Sequence, residues 1–495
     1  MNIIKFITIF TLIAFSLDIF ADDKVVNLSQ IDEIKQKKEE QKKMMEFSYL
    51  QWDGKTVIPK METVEKYNPR KPLWISFLGT FGLNLTLWSY NRFIDQAGHS
   101  MISLASMEKN LKHGFDYDAD SLDINFWGHP FQGAMYYNTA RSLGHDYLTS
   151  MSVTAFGSLQ WEFFMEIEPA AINDFIITTM AGSMFGEMFY RLSSLIIDES
   201  TEGSERIARE IGAGSFNPGR LLNRLIFRRV ARDSKDPIYH KEPYSFNVAF
   251  GMNTISDGVN IDVNGKKRNM IFDFMFIYGY PFGKKTYKPF DHFTLDMMLN
   301  LTMNKQPLMG SFLIDSIFYG KQFNLGKHKI ILSINQSFEY LENNVYQIAA
   351  LDLGGMFMYR SPKLKFMGIL FKTGAYFIPM GGVNSDYAQY YLVDELNRSR
   401  DYNVSFGVNL KSSLIVVLPY TLFKIDYLFW WFKTYQGARG NEIIGVLKPT
   451  LSFRIFGRIK LGFQYFIYHR RGKYNEFPDI NSSNYEKRMF ISFDF

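Results

Sequence analysis

Apolar and polar residues alternate along this chain from Tyr244 to its end. Tyr244, Phe246, Val248, Phe250 and Met252 interleave with Ser245, Asn247, Ala249, Gly251 and Asn253. The same period of two runs through 293–302, 330–337 and 404–411. In the last ten residues Lys487, Met489, Ile491, Phe493 and Phe495 take one face, and Glu486, Arg488, Phe490, Ser492 and Asp494 take the other. Successive side chains of a strand point to opposite faces, so each run reads as a strand with one apolar and one largely polar face. The pattern predicts twelve strands, at 244–253, 268–280, 290–302, 308–320, 328–341, 345–360, 363–378, 401–416, 419–434, 441–455, 458–470 and 486–495. Asp296, Asn300, Glu339 and Lys411 fall on the polar faces and are expected to line a wet lumen, with the apolar faces turned to lipid.

The connections between these strands give a second test. A barrel that starts in the periplasm places odd connections outside, where they run long, and even ones in the periplasm, where they are tight. On this assignment connections one, seven and eleven are long, and six, eight and ten are turns of two or three residues. A soluble sandwich or lipocalin-like barrel would turn its apolar face inward and use shorter strands. The final amphipathic strand with its terminal Phe495 resembles those of Gram-negative outer-membrane barrel proteins, in which that strand is read by the barrel-assembly machinery.

Before Tyr244 the period lengthens. Residues 72–197 carry helical patterns and form a helical periplasmic domain on this reading. The segment Leu73–Trp88 is apolar apart from Ser76, Thr80, Asn84 and Thr86, and is short for a span. It is expected as a core helix or as a helix dipped into the periplasmic leaflet. Residues 198–243 are charged and broken by Gly212, Gly214, Pro218 and Gly219, as in a linker. Within it, Leu221–Arg232 mixes arginines with Leu222, Leu225, Ile226 and Val230, an amphipathic helix for the inner membrane surface or a solvated connector. At the amino end, Lys5 and the apolar run Phe6–Leu17 with cleavage after Ala21 predict a signal peptide over 1–21. Residues 22–71 follow as a charged tether, and the barrel takes 244–495.

Composition narrows the chemistry. There is no cysteine, hence no disulfide, thiol nucleophile or thiolate ligand. The 47 Phe and 29 Tyr suit strands and interfacial girdles. A net charge of +5 without a basic, aromatic-interleaved block argues against nucleic acid as a partner.

The helical region holds the distinctive residues. It reads Gly128-His129-Pro130-Phe131, then Gly133 with Tyr136-Tyr137-Asn138 and Ala140-Arg141-Ser142, then Trp161-Glu162 with Glu166, then Asn173-Asp174 with Thr178-Thr179 and Gly182, then Gly186-Glu187 with Arg191-Leu192-Ser193. This succession resembles a family of Gram-negative proteins described as domain of unknown function 3943, over about 100–200. The resemblance implies no activity. On their own spacing, Glu162 and Glu166 share a helix face, and Glu187 and Arg191 are set for an i, i+4 ion pair. Gly182 and Gly186 make a small-xxx-small packing surface. Asn173 or Asp174 is placed to cap a helix, and with Glu187 and Arg191 they are expected in a buried polar cluster. His129, at a turn before a helix, is the best acid–base candidate. The histidines at 99, 113, 129 and 145 match no metal-binding spacing, so neither metal nor cofactor is expected.

The expectation is an α+β chain: a periplasmic helical domain followed by a carboxy-terminal antiparallel transmembrane β-barrel of about twelve strands in the outer membrane. Its partners would be outer-membrane lipid, the barrel-assembly machinery and a periplasmic protein. Its role would be non-enzymatic: passage, anchorage or envelope organisation. The alternative is an enzyme acting on envelope lipid or phosphate through His129, Glu162, Glu166 and Arg191.

Overall fold

The computed structural model describes residues 70–233, 242–256, 268–301, 307–343, 345–362, 367–390 and 400–495. The expected signal peptide and nearly all of the tether lie outside them. The chain forms two compact units, a helical one and a barrel.

Seven α-helices occur among the described residues: α1 Leu73–Tyr90, α2 Leu104–His113, α3 His129–Arg141, α4 Tyr147–Phe164, α5 Ile172–Ile196, α6 Gly203–Phe216 and α7 Pro218–Ile226. Local chemistry sets several of their starts. Ser103 and Ser106 form a reciprocal capping box on α2, Asp146 accepts from Thr149 N–H to cap α4, and Pro130 sits in the first turn of α3. The centre is α5, buried along most of its length and packed on α3 and α4. Gly133 of α3 and Gly182 of α5 meet backbone to backbone. A Cβ on Gly182 would lie 2.5 Å from Gly133 Cα, and a Cβ on Gly186 would lie 2.6 Å from Tyr137 Cδ1.

Helix α1 corrects one expectation. Its buried residues are Ser76, Thr80 and Asn84, a polar stripe at i, i+4, i+8, while Trp74, Leu78, Phe81 and Leu85 are exposed. Two members of the inward stripe bond across helices. Thr80 Oγ1 lies 2.9 Å from Thr139 Oγ1, and Asn84 donates to Gly157 O at 3.0 Å and Gln160 Oε1 at 2.9 Å. This is not a core helix with its apolar face inward but its reverse. The same inversion marks α7, where Arg220 and Arg224 are buried while Leu222, Leu225 and Ile226 are exposed. Among the described residues no helix is long and apolar enough to cross a membrane.

The barrel has twelve antiparallel strands: β1 Tyr244–Ser256, β2 Arg268–Tyr278, β3 Phe293–Asn300, β4 Met309–Leu325, β5 His328–Glu342, β6 Gln347–Arg360, β7 Gly368–Asn384, β8 Tyr402–Val417, β9 Thr421–Gln436, β10 Gly440–Phe456, β11 Ile459–Tyr474 and β12 Ile480–Asp494. Each pairs with the next, and β12 pairs with β1 through Tyr485↔Ser256 to Asp494↔Asn247, so the sheet closes. Closure leaves no unpaired strand edge. Phe495 continues the seam: its N–H donates to Phe246 O at 2.9 Å, its carbonyl accepts from Phe246 N–H, and the two rings stack at 4.7 Å. Outward positions such as Phe250, Met252, Phe406, Val408, Leu410, Phe423, Phe453, Phe463, Met489 and Ile491 are exposed, an apolar exterior of the kind lipid-facing strands carry.

The strand count and nearly every strand follow the sequence pattern, whereas the connections depart from it in two places. Connection two, 279–292, is long, and connection eleven shrinks to 475–479 because β12 begins at Ile480. The early start of β12 was hidden by Asn481, Ser482, Ser483 and Asn484, polar residues that break the alternation yet pair with 468–471 of β11.

The Gly133–Gly182 contact makes a direct prediction. Gly182→Ala should destabilise the helical unit by about 1–3 kcal/mol through overpacking. Gly82→Ala on α1, whose Cβ meets nothing within 4 Å, should instead stabilise it by up to about 1 kcal/mol. Thermal melts followed by helical circular dichroism distinguish the two.

Candidate functional site

The helices bring three chemistry-bearing side chains to one point. The π-helical turn Ile124–Gly128 runs straight into α3 and delivers His129 as its first residue. Glu162 comes from the last turn of α4, and Asp174 from the first turn of α5. All three are buried, and one ligand atom from each lies within 4.8 Å of the others. His129 Nε2 is 3.4 Å from Asp174 Oδ1, and its Nδ1 is 3.2 Å from Thr178 Oγ1. Glu162 Oε2 accepts from Ala171 N–H at 2.9 Å. Asn173 Nδ2 donates to Asp174 Oδ1 at 2.7 Å, to Asp118 Oδ1 at 2.6 Å and to Asn125 Oδ1 at 3.1 Å. Burial pushes the His129 imidazole down to about 4, with the Asp118 carboxylate pulling the other way, so the ring is neutral at pH 7.

The other expected members stand elsewhere. Helix α4 ends at Phe164, so Glu166 leaves the face of Glu162; its carboxylate accepts from Trp161 Nε1 and its carbonyl from Asn110. Arg191 lies thirteen or more positions along α5 from the His129 site, on the order of 20 Å at 1.5 Å per residue. The four-residue constellation of the enzymatic reading therefore does not assemble. Asn173 and Asp174 do not cap α5 either. Ala171 holds the cap position, and both side chains turn inward from the first helical turn.

Arg191 belongs to a second buried cluster. Glu187 accepts from Arg191 Nε at 2.7 Å, Arg141 Nε at 2.6 Å and Tyr137 OH at 2.7 Å. Burial alone would raise this carboxyl, but the Arg141 and Arg191 guanidiniums outweigh it and hold it at about 2. A third cluster joins Arg206 to two arginines of 221–232, the segment expected at the inner membrane surface or as a solvated connector. Arg224 bridges Glu199 at 2.8 Å and Glu210 at 2.5 Å, Arg206 joins Glu210 at 2.9 Å, and Arg232 joins Glu199 at 2.6 Å. The sequence reading missed Asp118, Asn125, Thr178 and Arg141. A signal existed only for Arg141, which sits i+4 from Tyr137 and shares its target.

In the barrel, Asp296, Asn300, Glu339 and Lys411 all line one internal cavity of about 300 Å³. Lys411 Nζ bridges Glu339 at 2.6 Å and Asp352 at 2.9 Å, and Asn409 and Trp430 donate to Glu339 as well. Two apolar clusters flank the bridge. One gathers Ile348, Val383, Trp430, Phe432 and Tyr468 toward the odd connections, and the other gathers Ile331, Met358, Leu370, Ile415 and Leu422 toward the even ones.

Glu187→Gln should cost about 3–5 kcal/mol, because two guanidiniums lose a buried counter-charge. The native pair is pH-sensitive in one direction. A carboxyl held at about 2 contributes stability that is complete above its ordinary value near 4.5 and is lost as pH falls toward 2. Helical melts at pH 7, 4 and 2.5 should show this loss in the native chain and little of it in Glu187→Gln.

Solved structures resemble the chain in barrel architecture. An outer membrane channel from Pseudomonas putida F1 is 10% identical, with 53% of this chain and 100% of that one covered, at a TM-score of 0.28. Outer membrane phospholipase A from Escherichia coli is 11% identical, with 53% and 94% covered, at 0.29. The NanC porin is 10% identical, with 50% and 98% covered, at 0.26. At these values the likeness carries nothing about activity. No curated protein matches the chain. Residues 114–219, which contain His129, Glu162, Asp174, Glu187 and Arg191, match the family model described as a domain of unknown function, DUF3943.

Proposed function

We propose that this chain is an outer-membrane protein whose barrel passes small hydrophilic solutes through a narrow polar lumen, with the helical unit seated on the periplasmic leaflet. One observation carries the first half. A single cavity is lined by Asn247 and Ser492, near the rim where β1 begins and β12 ends, and also by Asn343, in the connection at the opposite rim. Its walls add Lys448, Lys460, Asp273, Asp426 and Arg488, charges of both signs that favour water over lipid. Val446 and Phe466 of one flanking apolar cluster, and Ile415 and Leu422 of the other, also line it and restrict its width. The apolar exterior and the closed seam support an outer-membrane address.

The seat of the helical unit rests on polarity. Soluble domains bury their leucines and expose their serines and asparagines. Here α1 and α7 do the opposite, and an apolar outer face on a short helix suits acyl chains at a leaflet surface.

Two measurements test these halves separately. In planar bilayers the native chain should give small stepwise conductance, increased severalfold by Phe466→Ala with Val446→Ala. Silence from both proteins, with the barrel folded by heat-modifiable gel mobility, would sink the passage reading. The natural absence of cysteine makes the second simple. In proteoliposomes Leu78→Cys should resist a water-soluble maleimide, while Lys112→Cys on exposed α2 reacts. Equal labelling of both would remove the leaflet seat.

A further inference from the structure

We propose that His129, Glu162 and Asp174 hold a single divalent transition-metal ion in the helical unit. Nothing in the passage reading requires such a site, and the two stand or fall apart.

The argument begins with where the three residues come from. Each lies at a helix end on a different helix, α3, α4 and α5, and each turns its donor atoms inward to the same point. Metal sites in helical packings are built this way, from carboxylates and imidazoles projecting off facing helices. The spread of 4.8 Å between the donor atoms is close enough for one ion to reach all three with small side-chain adjustments. The donors are one imidazole nitrogen and two carboxylates. That mixture suits zinc, manganese or ferrous iron, whereas calcium and magnesium take oxygen alone.

The surrounding bonds orient the donors. Thr178 Oγ1 engages Nδ1 of His129, which turns Nε2 toward the carboxylates. Ala171 N–H holds Glu162 Oε2, and Asn173 Nδ2 holds Asp174 Oδ1 while also tying in Asp118 and Asn125. Metal ligands are held in this manner, by hydrogen bonds from neighbouring groups. Two carboxylates facing each other in a buried space repel when both are ionised, and a dication between them removes that conflict. Three protein donors fall one short of a closed tetrahedral set, so a water or a ligand group completes the shell.

The decisive experiment uses the full-length protein purified from outer membranes in detergent. After chelator treatment and desalting, zinc or manganese is added alone, unbound metal is removed by gel filtration, and metal per chain is measured by elemental analysis. The expected result is about one equivalent in the native chain, with at least tenfold weaker binding in Glu162→Gln combined with Asp174→Asn. Both substitutions keep size and remove charge, and unchanged helical circular dichroism certifies that the unit has folded. A native chain that retains neither metal overturns the proposal, as does a folded double variant that retains metal equally, which would mark an adventitious ion only. If the double variant does not fold, the native chain decides the matter. Metal should raise the thermal midpoint of the helical signal reversibly with chelator, and no rise with either metal overturns the site.

Discussion

The contact between Gly133 and Gly182 sets the distance between α3 and α5, and the buried polar chemistry of the helical unit depends on that distance. With no Cβ on either residue the backbones touch. The side chains above and below then come within hydrogen-bond reach. On one side of the contact His129 reaches Asp174 and Thr178. On the other, Tyr137 and Arg141 reach Glu187. Moving the helices apart by the width of a methyl group would lengthen all of these bonds at once, and buried polar groups are costly to leave unmade. The glycine pair is therefore as much a condition for the two clusters as the charged residues themselves.

The barrel meets the same demand by a different route. Backbone groups are satisfied by closure, through the β12–β1 seam, and side-chain charges pair between neighbouring strands, as Arg470 does with Glu442, or across the lumen. Lys411 illustrates the second device. It lies on β8, yet its ammonium reaches Glu339 on β5 and Asp352 on β6. A charge enclosed by a barrel wall has little water to draw on, so such cross-lumen pairs fix both the ion and the strands that carry it. They also narrow the cavity, which is why an interior with many charges need not be a wide one.

The sequence reveals these two units very unequally. Strand periodicity is local: a residue and its neighbour two positions on lie on the same face whatever the rest of the chain does. All twelve strands could be read for that reason, and the boundary errors fall where polar stretches such as Asn481–Asn484 interrupt the period. The i, i+4 pair of Glu187 and Arg191 was visible on the same local ground. The convergence of His129, Glu162 and Asp174 was not, because it depends on three helix axes meeting and no spacing encodes that. Glu166 shows the opposite failure. Its spacing from Glu162 promised a shared face, but α4 ended two residues too early to keep it.

Helix α1 shows why hydropathy alone misleads. Mean apolarity suits a core helix as well as one dipped into a leaflet, and apolar residues do dominate it. Yet the informative residues are the three polar ones, because Ser76, Thr80 and Asn84 recur every four positions and so form a single stripe. A stripe of small hydroxyls and an amide is a poor solvent-facing surface for an otherwise apolar helix but a good packing surface. It lets α1 approach Thr139, Gly157 and Gln160 closely, and Thr80 and Asn84 bond to them there. Once that face is committed inward, the leucines and aromatics have only the outside left. The polarity of the surroundings is thus written in which minority of residues is periodic, not in the average of them all.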